Sequence, residues 1–199
     1  PPSSLLAPSN LSPHRQRFLQ QSLLDLHHSL DQLGQHLIVT SVPVLDIIPQ
    51  LITQHNISRI YSSDNAGYYE QQTWQRLLKR YPFIVFKRTP SHTLFDQTEL
   101  PFQLSELPDS FTKFRKLIEP LNIKAPLAAL TQLPPSPISA MSWPQQTRLP
   151  AHVPLFEGGE QHGLAHLERY FKSKLASSYK DTRNGLDGMD YSTKFSPWL

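Results

Sequence analysis

The sequence predicts an α/β fold: a partial parallel sheet with flanking helices, followed by a proline-rich connector and further helices. Three observations predict it. Short apolar runs suited to strands alternate with segments whose apolar residues recur at helical spacing. Nineteen prolines stand against seven glycines, and eight of those prolines fall between Pro120 and Pro154, a stretch without glycine. Beyond it, helical periodicity returns.

Taken in order, Leu19, Leu23, Leu26, Leu30 and Leu33 recur at spacings of four and three, on one stripe of a helix over about 13–33. Ser12 suits its cap, Pro13 its first position and Gly34 its exit. His36-Leu37-Ile38-Val39-Thr40 is the kind of apolar run that forms a buried strand. Pro43 opens a second helical segment with Val44, Ile47, Ile48, Leu51 and Ile52, interrupted by Pro49 and closing at Asn56. Ile57–Tyr61 is predicted as a strand, about 68–80 as a helix with Trp74, Leu77 and Leu78 inward, and Phe83–Phe86 as a third strand. Strands separated by helices indicate a parallel layer. The stretch from Pro120 to Pro154 reads as an irregular connector, since proline suits neither ladders nor helix interiors. Leu164, Leu167, Phe171 and Leu175 mark one more amphipathic helix over about 160–177, and Ser196-Pro197 followed by Trp198 and Leu199 reads as a helix start.

The 199 residues are 38% hydrophobic and 18% charged, with no apolar run near the roughly 20 residues that span a bilayer. PPSSLLAPSNLSPHR lacks the basic-then-apolar order of a signal peptide, so a soluble, cytoplasmic protein is expected. The absence of cysteine excludes disulfides, thiolate metal sites and thiol nucleophiles. A net charge of +3 carried by scattered basic residues permits contact with phosphates without demanding it. The seven glycines form neither a GxGxxG nor a GxxxxGK[ST] loop, which excludes the dinucleotide fingerprint and the P-loop.

His162 and His166 stand four apart, the spacing at which two imidazoles reach one metal, but HGLAH is not HExxH and Glu168 lies off their face. Two solvated histidines on the polar side of the helix are the expectation. No serine stands in a GxSxG frame. Glu70, in the first turn of the helix after the Ile57–Tyr61 strand, admits two readings. Strand ends and helix starts open into a ligand crevice in parallel α/β layers, and an acid there also complements the helix dipole with no ligand at all. Ser192, Thr193 and Ser196 stand beside Lys194 just before a predicted helix start. Such a group suits a phosphate or pyrophosphate, while the simpler reading, which the chemistry alone favours, is an N-capped helix after a polar loop.

Four segments carry a resemblance. TLFDQTELPFQLSELPDSFTKFRKLIE (Thr93–Glu119), FEGGEQHGLAHLERYF (Phe156–Phe171) and YKDTRNGLDGMDYSTKFSPWL (Tyr179–Leu199) resemble successive motifs of the photolyase/cryptochrome family, in particular its DASH branch. RFLQQSLLDLHHSLDQLGQHLIV is similar to that family's long helix and following strand. The resemblance runs through nearly the whole chain in the family's order. It implies a partial Rossmann-like sheet over 1–119, lacking the family's first strands, a connector over 120–156, and over 157–199 the first helices of an all-α domain that holds FAD. It further implies that Tyr179, Ser192, Thr193, Lys194, Phe195 and Ser196 contact FAD, the last five around its phosphates. Glu70 matches the acid that contacts a folate antenna, 5,10-methenyltetrahydrofolate. The implied protein is a FAD-dependent, blue-light DNA photolyase or cryptochrome. Its substrate would be a pyrimidine dimer flipped out of DNA, chiefly single-stranded, with the excited flavin supplying the electron. Because the family's opening WFRxDLR segment and its later helices are not among these residues, the chain is expected to be an internal fragment, inactive alone. The alternatives are a non-catalytic α/β pigment-binding or interaction module, and a remnant without function.

Overall fold

The computed structural model describes residues 12–139, 156–188 and 190–198. The predicted connector's 140–155, the Met189 position, the final Leu199 and the first eleven residues lie outside the described residues. Two compact units are present: Pro43–Ala129, and Pro1–Val42 together with Leu130–Leu199.

The Pro43–Ala129 unit is built on local apolar packing. Helix α2 (Val44–His55) starts after Pro43 and closes at Asn56, which takes the left-handed conformation, φ 49°. Pro49 sits inside it without ending it. Strands β1 (Arg59–Ser63) and β2 (Val85–Thr89) pair in parallel, Arg59 opposite Val85 and Ser63 opposite Thr89, joined by α3 (Tyr68–Arg80). The buried residues are Ile52 on α2, Leu77 on α3 and Ile84 just ahead of β2, and α2 packs against α3. Trp74 meets Phe86 edge to face at 5.2 Å, fixing α3 on the sheet. Both strands begin two residues later than the apolar runs predict. Their pairing continues through the exposed Ser62, Ser63, Arg88 and Thr89; an apolar run reports which residues are covered, not which backbones are bonded. Two short 3-10 turns, Gln97–Glu99 and Leu104–Glu106, precede α4 (Phe111–Ile118).

In the other unit, α1 (Pro13–Gln32) has proline at its first position, with Ser12 as an extended cap residue whose side chain makes no cap bond. Gly34, at φ 81°, turns the chain out of it. The strand expected at His36–Thr40 does not form: the segment enters no ladder, and among the described residues the sheet has two strands rather than three. A parallel strand exists only through its neighbour's hydrogen bonds, so an apolar run alone cannot make one. The backbone beside Gly34 is tied instead to the connector, where Leu133 N–H donates to the Leu33 carbonyl at 2.8 Å. Residues 120–139 of the connector contain no regular element.

The helix expected over 160–177 divides into α5 (Glu160–Lys172) and α6 (Leu175–Thr182), with Lys174 at φ 57° between them. Its inward face also differs from the apolar stripe. Leu164, Leu167 and Phe171 are exposed, whereas His166 and Tyr170 are buried. The reason is the neighbour. Trp198 lies against Gly163 and stacks on His166, and Phe195 meets both His166 and Tyr170.

The N-terminus of α5 is capped by α1. Its cap residue is Gly159, which has no side chain to offer. Gly158 N–H donates to Gln21 Oε1 at 2.9 Å, Gly159 N–H to Ser22 Oγ at 3.0 Å, and Glu160 N–H to Asp25 Oδ2 at 2.8 Å. The two glycines let the helices approach this closely. A Cβ at Gly158 would stand 2.0 Å from the Phe18 carbonyl oxygen, and Gly159, at φ 106°, would press its Cβ on Asp25.

Candidate functional site

Glu70 lies in the first turn of α3, at the C-terminal ends of both strands, where the parallel topology predicts a crevice. A cavity of about 340 Å³ opens there, bounded by Ser62, Ser63, Asn65, Glu70, Arg88 and Trp74 among others. That volume is at the low end of the roughly 300–1,000 Å³ typical of small-molecule sites, room for a ring system rather than for a long ligand.

The walls are held by polar contacts. Arg88 donates to Asp64 Oδ1 at 2.9 Å and to Gln71 Oε1 at 2.7 Å, with its guanidinium 5.8 Å from the centre of the Trp74 ring. Gln71 also donates to the Asn65 carbonyl, and Asn65 Oδ1 accepts the Gly67 N–H at 2.8 Å. Gly67 leaves space that the Glu70 carboxylate uses: a Cβ there would fall 2.1 Å from Glu70 Oε2. Tyr68 and Tyr69, just ahead of Glu70 in the chain, are mostly exposed and pack edge to face on each other; the aromatic residue bounding the cavity is Trp74. Arg88, Asn65, Gln71 and Trp74 were missed. Polar residues at the C-terminal ends of predicted parallel strands were the available signal for Ser62, Ser63 and Arg88.

The second candidate group belongs to the other unit. Ser192 to Ser196 form a tight run in which Lys194 is left-handed, φ 54°. Ser192 Oγ accepts the Lys194 N–H at 3.2 Å and Thr193 Oγ1 accepts the Phe195 N–H at 3.4 Å. Used as acceptors there, the two hydroxyls keep their protons for donation. The Lys194 ammonium rests 3.6 Å from the centre of the Tyr191 ring. Phe195 is a packing residue, half-buried against His166 and Tyr170. The predicted helix start at Ser196 is a single turn closed by Trp198 N–H on the Phe195 carbonyl, 3.0 Å. Tyr179, on α6, is half exposed. Its helix joins the segment before the run through Thr182, whose hydroxyl contacts the Asp190 carbonyl at 2.8 Å. Hydroxyl donors beside an ammonium are a donor set that fits phosphate oxygens.

The two histidines of α5 do not converge. His162 Nδ1 contacts the Gly158 carbonyl and its Nε2 the Glu157 carboxylate, both at 2.9 Å. His166, expected to be solvated, is buried and faces Thr193, because Trp198 and Phe195 cover its side of the helix. Among the described residues no group of three or more His, Asp or Glu could hold a metal, and no helix is long and apolar enough to cross a membrane.

Comparison with known proteins places this architecture. The DNA photolyase family profile matches residues 3–135. Cryptochrome DASH of Vibrio parahaemolyticus is 45% identical over 185 residues, 93% of this chain and 42% of that protein. The crystal structure of a Synechocystis cryptochrome superposes with a TM-score of 0.79 at 39% identity, covering 95% of this chain and 42% of that one. A class III photolyase from Agrobacterium tumefaciens, 18% identical, shares the fold with a TM-score of 0.72. The chain thus spans about two fifths of the length of the relatives it matches. With a family match over most of its residues and an α/β fold around a small parallel sheet, the chain belongs to the DNA photolyase/cryptochrome family.

Proposed function

We propose that this chain is part of a FAD-dependent, blue-light DNA photolyase or cryptochrome of the DASH type, with DNA as its partner and pyrimidine dimers in single-stranded DNA as its substrate. The observation that carries this reading is similarity through at least nine tenths of the chain to proteins named cryptochrome DASH. Within such a protein, residues 1–119 are the antenna domain, 120–156 the connector and 157–199 the start of the FAD-binding helical domain, in a cytoplasmic setting. Bound FAD would supply the light-driven electron transfer, which is the cofactor's own chemistry.

The residues of this chain bind and orient. Tyr179, Ser192, Thr193, Lys194, Phe195 and Ser196 form the FAD-holding segment, with the Ser192 and Thr193 hydroxyl protons and the Lys194 ammonium serving the phosphates. Glu70 holds the folate antenna, 5,10-methenyltetrahydrofolate. Its carboxylate can accept hydrogen bonds from the amino and ring N–H groups of a pterin beside the Trp74 ring, while the cavity's size leaves the rest of the folate outside. By itself the chain is expected to show no repair activity.

A second reading, a pigment-binding module without catalysis, is favoured by one feature. Among the described residues, all that bound the Glu70 cavity lie within the Pro43–Ala129 unit. Titrating a reduced folate into the wild-type chain and into Glu70→Gln tests the site. Loss of a charge-assisted hydrogen bond should weaken binding about ten- to a hundredfold, with unchanged circular dichroism. Equal affinities would remove Glu70 from the site. Binding of folate without any binding of FAD would favour the module.

A further inference from the structure

His166 is the one buried polar residue among the described core positions, 5% exposed at the centre of α5. Nothing in the reading above uses it. Its Nδ1 lies 2.9 Å from Arg169 Nη2 and its Nε2 2.8 Å from the Thr193 carbonyl oxygen. A guanidinium only donates and a carbonyl only accepts, so the lone pair sits on Nδ1 and the proton on Nε2. Turning the ring over would set an N–H against the guanidinium and a lone pair against the carbonyl. The ring is also fixed in translation: its face stacks on Trp198 at 5.1 Å and 27°, and its edge meets Phe195 at 5.6 Å and 89°.

The bond to Thr193 reaches into the run that the flavin reading assigns to phosphates. In a trans peptide the Thr193 carbonyl and the Lys194 N–H point in opposite directions. Holding that carbonyl toward α5 therefore turns the Lys194 N–H to the other side, where Ser192 Oγ accepts it. The hydroxyl of Ser192 is thereby committed as acceptor and left with its proton to give.

We propose that His166 is a positioning residue: by donating from Nε2 to the Thr193 carbonyl it holds the Ser192–Ser196 run in the shape that presents hydroxyl donors to the phosphates of a flavin dinucleotide. The inference rests on the flavin reading of that run. Its consequence differs from that of a residue that merely fills the core. His166→Phe keeps an aromatic ring for Trp198 to stack on and lacks the N–H; His166→Gln loses the ring but carries an amide N–H that reaches the place of Nε2.

The test is FAD titration of the full chain by flavin fluorescence, with circular dichroism of each variant. The Phe variant should bind about tenfold more weakly and the Gln variant within about threefold of wild type. The opposite order, or equal affinity in all three, would overturn the inference while leaving the flavin site standing. A wild-type chain that binds no FAD overturns the flavin reading and this inference with it. If the Phe variant does not fold, His166→Asn replaces it with the same expected loss, since its amide reaches only the place of Nδ1.

Discussion

In the Pro43–Ala129 unit, α2 packs on α3, and the buried residue of each, Ile52 and Leu77, is apolar and close in sequence to the other. In the other unit, α1 and α5 meet through Gln21, Ser22 and Asp25, whose partners lie about 135 residues further on and are backbone N–H groups of Gly158, Gly159 and Glu160. The first joint depends on covered area and tolerates changes of shape; the second depends on direction, because a donor satisfied by a distant side chain is satisfied at one geometry only. The difference extends to the candidate sites. The Glu70 crevice is formed at the ends of two paired strands, whereas the Ser192–Ser196 run takes its shape from a histidine and a tryptophan packed on a helix face.

The largest expected effect tests the apolar joint. Leu77 is 4% exposed, and Leu77→Ala should cost about 2–5 kcal/mol in urea unfolding, for lost burial and the cavity left behind. A loss under about 1 kcal/mol would mean that α2 and α3 are not held by area.

The directional joint is sharpened by a smaller change. Gly158→Ala adds one methyl against a main-chain oxygen that cannot swing aside as a side chain would, and should cost about 1–3 kcal/mol. An unchanged urea midpoint would show that α1 and α5 do not approach as described. Asp25→Ala strips the acceptor from Glu160 N–H and from Gln161 N–H, the latter at 3.4 Å; a lost cap costs about 1–2 kcal/mol. Asp25→Asn should recover most of that, since the amide oxygen still accepts.

These contrasts explain what could be read from the sequence. The apolar residues of α2 and α3 recur at helical spacing within a dozen positions, so the bounds of both helices emerge almost unchanged, down to Asn56 as the closing residue. Gln21, Ser22 and Asp25 interleave with the leucines of α1, and a polar residue on a helix looks the same whether it faces water or caps a distant helix. His166 and Tyr170 were hidden by the opposite error: Leu164, Leu167 and Phe171 present the better apolar stripe, yet the face that is covered is the one Trp198 and Phe195 select. Glu70 was legible because strand ends and helix starts are local features; its neighbours Asn65 and Arg88 depend on how loop and sheet close together.

The smallest effect concerns a polar contact inside the apolar unit, and so asks whether the division by chemistry is complete. Glu99 accepts the Asp96 N–H at 2.7 Å and pairs with Lys124, bringing the segment after α4 back to a 3-10 turn 25 residues earlier. The hydrogen bond from Lys124, then that from the Asp96 backbone, holds the Glu99 carboxyl below its ordinary value of 4.5. The same pairing holds the Lys124 ammonium above its ordinary 10.5. A depressed carboxyl contributes stability that is present above its unfolded value and disappears as pH falls through its folded value. The raised ammonium contributes below its unfolded value and loses that contribution as pH rises through the folded one. Wild type should therefore exceed Glu99→Gln in urea midpoint near neutral pH, the gap closing progressively below about pH 4.5 and, at the other end, above about pH 10.5. Both groups are open to solvent, so the gap should be the smallest of the four and should shrink in about 0.5 M salt. A gap that persists unchanged through acid would show that the turn is held by the shape of the Glu99 side chain rather than by its charge.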